Sequence, residues 1–117
     1  MRSLFVAFIF VVLFSTVIVN PGNRLPTVSA DIVSIKEVRR QQDILVVERP
    51  AGATAGVMSS VFVVSGNREV LHRVAVQYGR ASSSVIEVVS GLSPGDQIVV
   101  SDMRAWDAFE RIRMRSR

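Results

Sequence analysis

The sequence predicts an all-β fold, a small antiparallel β-barrel or β-roll, preceded by an N-terminal hydrophobic helix that is either a signal or a membrane anchor. Three observations predict it. Beyond residue 30 the β-branched and aliphatic residues fall in short runs, bounded by clusters of Gly, Pro, Asn, Asp and Ser. Several of these runs alternate with period two, as half-buried strands do. Ahead of them, residues 4–19 form one apolar run whose only polar members are Ser15 and Thr16.

That run is bounded by Arg2 and by Asn20, Pro21 and Gly22, residues that stop a helix. As a helix it reaches roughly 24 Å at about 1.5 Å per residue. This is short beside a hydrocarbon core of about 30 Å. It is long beside the roughly 7–15 apolar residues of a secretory signal. Val28, Ser29 and Ala30 place small side chains where a signal peptidase reads them. Residues 1–30 are therefore a signal peptide cleaved after Ala30 or a retained N-terminal anchor, and both alternatives send residues 31–117 across a membrane. A buried helix of a soluble core fits less well, because the rest of the chain offers little to surround it. One arginine ahead of the run determines orientation only weakly.

Residues 31–117 read as one β domain. The expected strands are 31–38, 44–47, 57–64, 69–78, 85–89, 97–101 and 111–115, with the small residues 51–56 and the serine-rich 79–84 as loops. In 57–64, Met58, Ser60, Phe62 and Val64 lie on one face, and Val57, Ser59, Val61 and Val63 on the other. Gly66-Asn67 predicts a two-residue hairpin turn with positive φ. Ser93-Pro94-Gly95-Asp96 predicts a type II turn, with Pro fixing φ at its second position and Gly supplying positive φ at its third. Met103, Trp106 and Phe109 recur every three residues, which suits a single helical turn. In 111–115, Arg alternates with Ile112 and Met114, as in a strand protecting an exposed sheet edge.

Composition narrows the chemistry. The 117 residues hold no cysteine and one histidine, so there is no disulfide scaffold, thiolate metal site or Cys nucleophile. His72 has no second His or Cys to work with and reads as an ordinary strand residue. Asp102 and Asp107 read as turn-capping residues paired with nearby arginines, not as an acid–base couple. The glycines of 52–56 lack the Gly-Lys-Ser/Thr ending of a phosphate loop. No enzyme, cofactor or metal is expected. Five arginines against two acids give residues 104–117 a charge of +3, leaving +1 of the total +4 to the other 103 residues. A near-neutral body argues against nucleic acid; anionic lipid suits the basic tail better. Trp106 and Phe109 read either as plugs at one end of the barrel or as a protein contact.

Residues 88–100, Val-Val-Ser-Gly-Leu-Ser-Pro-Gly-Asp-Gln-Ile-Val-Val, carry a strand, a Gly-Leu-x-Pro-Gly-Asp element and a second strand. Together with Val61 to Arg68, Arg73 to Arg80 and the ending Asp102-Met103-Arg104-Ala105-Trp106-Asp107, this resembles the C-terminal, membrane-proximal region of the periplasmic adaptor (membrane fusion protein) family of bacterial efflux and type I secretion systems. The resemblance covers about residues 43–117. It implies a membrane-proximal β module on the periplasmic side of the inner membrane, or in the periplasm if the leader is cleaved. It also implies docking on an inner-membrane transporter of the resistance-nodulation-division or ABC type, with other adaptor subunits as possible partners and no catalytic set.

The contact expected on this basis comprises Arg104, Trp106, Asp107, Phe109 and Arg111. The lipoyl-like domain and α-helical hairpin of full adaptors have no counterpart in these residues. Two alternatives remain beside docking: a stand-alone exported β-rich binding or structural module, and a truncated adaptor without function. Gene neighbourhood separates the first from a pump component, since adaptors are expected beside a transporter gene.

Overall fold

The computed structural model describes residues 25–115, and the helix expected over 4–19 lies outside them. Among the described residues there are nine strands and no α-helix. They are β1 (Thr27–Ser29), β2 (Ile35–Glu37), β3 (Arg39–Gln41), β4 (Ile44–Glu48), β5 (Met58–Val64), β6 (Val70–Ala81), β7 (Val85–Ser90), β8 (Gln97–Val99) and β9 (Arg111–Arg115). Short 3-10 turns occupy Ala30–Ile32 and Arg104–Trp106.

Strand β5 has apolar residues on both faces, and the architecture gives each face a core. Antiparallel neighbours follow the order β2-β8-β5-β6-β7-β4-β3. Only Val38 separates β2 from β3, so the two ends of that order meet in one bent piece of chain and the sheet is a nearly closed barrel. Val38 sits at the seam, its N–H donating to Asp96 O and its carbonyl accepting from Gly95 N, both at 2.8 Å. Val38, Val47, Val61, Val63, Val76, Tyr78, Ile86, Val88 and Ile98 fill the first core. The outward neighbours Phe62, Val64 and Val99 join Leu71, Ile112, Met114 and Val28 in a second. Each buried side chain of this size contributes roughly 1.5–3 kcal/mol over exposure.

The second core exists because the chain returns. β9 pairs antiparallel with the start of β6, Leu71 opposite Ile112, and β1 pairs parallel with β9, Val28 opposite Met114. Ile112 and Met114 point inward as the alternation predicts. The exposed edge expected at 111–115 is not one, because β1 and β6 flank β9 on its two sides. β1 lies ahead of residue 31, and its Val28 is 2% exposed.

Other departures are local. The strand expected over 31–38 shortens to β2 behind the turn at Ala30–Ile32, and the polar residues after it form β3, hydrogen-bonded to β4 through a turn where Gln42 takes φ 56°. The hairpin after β5 closes with a longer loop. Arg68 N donates to Ser65 O at 2.9 Å, and the positive φ of 61° falls on Arg68. Asn67 holds that loop by its side chain, Oδ1 accepting from Ser65 Oγ at 2.6 Å and from Glu69 N at 3.0 Å. Ser93–Asp96 forms the expected turn, with Gly95 at φ 92° and Asp96 N donating to Ser93 O at 3.1 Å.

Candidate functional site

Arg73 builds the site. It stands on the outward face of β6 directly opposite Phe62 of β5. Its guanidinium lies 4.7 Å from the Phe62 ring centroid, a cation–π contact, and its side chain is 15% exposed. The planar fork carries five N–H donors, and the chain that follows β8 supplies acceptors for most of them. Nη2 donates to the carbonyls of Trp106 (3.0 Å), Asp107 (2.8 Å) and Phe109 (2.8 Å), and Nε donates to Phe109 O at 3.1 Å. Nη1 donates to Ser60 Oγ at 2.9 Å. The carboxylates of Asp107 and Glu110 stand 3.9 and 3.7 Å away.

The turn held this way is too short to satisfy its own carbonyls. A 3-10 turn leaves its last carbonyls short of partners; Arg73 collects those of Asp107 and Phe109 just beyond Arg104–Trp106, and shares that of Trp106 with Phe109 N. Tight backbone bonds wind it: Trp106 N donates to Met103 O, Asp107 N to Arg104 O and Phe109 N to Trp106 O, at 2.9–3.2 Å. Met103 and Trp106 pack against the second core, and Phe109 is 39% exposed. The Trp106 and Phe109 rings meet at 6.2 Å between centroids, tilted by 53°. Neither ring plugs the barrel interior. Trp106 lies over the second core because the turn follows the outward face of β6.

A fork of hydrogen bonds fixes the entry to the turn. Arg104 Nη2 lies 2.7 Å from Asp102 Oδ2, and Arg104 Nε and backbone N each donate to Asp102 Oδ1 at 3.0 Å. These bonds from the Arg104 side chain and backbone hold the Asp102 carboxyl below its usual range, and the carboxylate raises the arginine. For the aspartate, the fork is complete above the ordinary carboxylate pKa and is lost as pH falls through the lowered value. The pair is solvent-exposed, so the effect belongs to the turn and not to global stability.

Between this turn and the barrel wall lies a cleft of about 560 Å³, lined by Pro50, Gly52, Ser59, Ser60, Phe62, Arg73, Asp102, Met103, Arg104 and Asp107. Arg104 and Asp107 line this cleft, while Trp106 and Phe109 share only the turn with them. Arg111 stands apart. It opens β9, opposite His72 and on the face turned away from the second core. Asp102 and Asp107 each hold an arginine and do not face one another as an acid–base couple. His72 is exposed, and among the described residues no three His, Asp or Glu side chains gather where a metal ion would sit.

Arg73 was not legible as a site residue. Alternation puts it on the face opposite Val74, but only the register of β5 on β6 reveals Phe62 beneath it. Compared with known proteins, the chain matches no family model, no curated protein and no solved structure.

Proposed function

We propose that the chain is the membrane-proximal docking module of a periplasmic adaptor, non-enzymatic, anchored in the inner membrane and seated on an inner-membrane transporter of an efflux or secretion system. The observation that carries this reading is the turn at 103–109. A short, aromatic-bearing segment is held rigidly on a barrel by a nearly buried arginine whose donors are already occupied by protein carbonyls. Such an arginine supports a surface and has little left for a substrate. The turn it supports offers a partner an indole edge, an exposed phenyl ring and the Arg104 guanidinium, residue types enriched where proteins meet. The Gly-Leu-x-Pro-Gly-Asp element and the Asp-Met-x-x-Trp-Asp ending support the family reading.

Retention of the N-terminal run as an anchor is favoured over cleavage after Ala30, since cleavage there would remove β1 and uncover β9. Co-purification of the intact protein with an inner-membrane transporter from detergent-solubilised membranes tests the proposal. Trp106→Ala combined with Phe109→Ala is expected to lower recovery of the transporter at least about tenfold, the effect of a hot-spot loss near 1.4 kcal/mol. A product found in the cytoplasm with no transporter bound overturns it.

A further inference from the structure

We propose that the face of β9 turned away from the second core is a docking surface for anionic lipid headgroups. Arg111, Arg113 and Arg115 are all exposed at alternate positions of one strand, with Ile112 and Met114 buried between them. Their stems therefore leave the same side of the strand about 6.8 Å apart. Elsewhere among the described residues the cations are occupied, Arg39 and Arg40 on β3 excepted. Lys36, Arg73, Arg80 and Arg104 each have a carboxylate within 4.0 Å, and Arg49 and Arg68 donate to carbonyl or amide oxygens. Among the described residues the three on β9 have no such partner.

Their neighbours do not oppose them. Residues directly across a ladder share its face. Here those are His72 and Val70 on β6, with Thr27 and Ser29 on β1, none of them acidic. Glu110, next in sequence to Arg111, is turned toward Arg73.

Register supplies the reason for a lipid partner. β1 starts beside Arg113, Thr27 opposite it. Only residues 20–26 separate β1 from the apolar run that ends at Val19. Seven residues span at most about 24 Å when extended, so a bilayer that takes up residues 4–19 has this arginine row tethered near its surface. The negative potential of an anionic leaflet attracts such a row, by roughly a factor of five per arginine, the equivalent of about 1 kcal/mol each. This placement rests on residues 4–19 being held in a membrane, as in the docking reading, and needs no transporter.

The full chain, reconstituted in vesicles of phosphatidylcholine alone or with 30% phosphatidylglycerol (on the order of a natural anionic leaflet), is treated with phenylglyoxal and arginine modification is read residue by residue. Flotation with the neutral vesicles reads retention of the N-terminal run separately, so failure of the anchor is told apart from failure of the arginine face. Modification of Arg111, Arg113 and Arg115 is expected to slow about fivefold in the anionic vesicles and to recover in roughly 0.5 M salt, where screening is short-ranged. Arg39 and Arg40, exposed on β3, keep their rates. In Arg113→Gln with Arg115→Gln, Arg111 returns to its neutral-vesicle rate. Equal rates in both lipids overturn the proposal. Slowing in neutral vesicles, which points to a second copy of the chain, overturns it too, as does equal slowing at Arg39 and Arg40.

Discussion

Arg73 and Tyr78 sit five residues apart on β6, one on the outward face and one in the barrel core. The Arg73 guanidinium is held by carbonyls and an aromatic face. Removing it in Arg73→Ala frees the carbonyls of Asp107 and Phe109, both bonded in exposed surroundings, while Trp106 O keeps Phe109 N, so the expected cost is about 1–2 kcal/mol and not the full penalty of buried orphans. Arg73→Lys restores the charge without the fork and is expected to recover less than half of that. Urea melts give the energies. Emission of Trp106, the single tryptophan, is expected to shift to the red as the turn loosens.

Tyr78 is kept neutral, because burial in the barrel raises its pKa above 10.0. The stability it contributes is therefore complete below pH 10 and is lost as pH rises through the folded-state value. It is the only tyrosine, so absorbance titration of phenolate reads it directly. Tyr78→Phe is expected to flatten the alkaline limb of the stability curve. An ordinary phenol titration in the folded protein would contradict this.

At the level of strands, the shortest ones matter beyond their length. β1 contributes three residues, yet Val28 is buried in the second core and its ladder covers one side of β9. Val28→Ala is expected to cost about 2 kcal/mol. A chain beginning at Asp31 loses the whole ladder and leaves β9 open to pairing with other chains. Its expected signature is concentration-dependent association in sedimentation, absent from a chain beginning at Leu25. Strands of this kind are poorly legible in sequence. β1 falls within the stretch read as a leader. β3 consists of Arg39, Arg40 and Gln41, exposed throughout, so it carries no hydrophobic signal and forms only because β4 offers it a ladder. The turn at Ser93–Asp96 was legible to the residue, since Pro and Gly at fixed offsets dictate φ directly. Gly66-Asn67 was less so. The Asn67 side chain bonds across the loop and moves the positive φ to Arg68.

For the molecule as a whole, alternation was enough to announce an antiparallel β fold with a barrel-like sheet, because period two survives without knowledge of partners. It was not enough to count cores. Two apolar faces on β5 look the same in sequence whether the outer one meets solvent, another protein or, as here, the chain's own return through β9 and β1. Ile98 and Val99 on β8 divide in the same way, one to each core. One consequence is mechanical. β5 is a party wall, and whatever pulls at one room strains the other. Insertion of a single residue between Val61 and Phe62 would hand each room the other's furniture, and neither could be dissected away to leave its neighbour standing. Heating is therefore expected to collapse both in one calorimetric peak, with no half-furnished survivor.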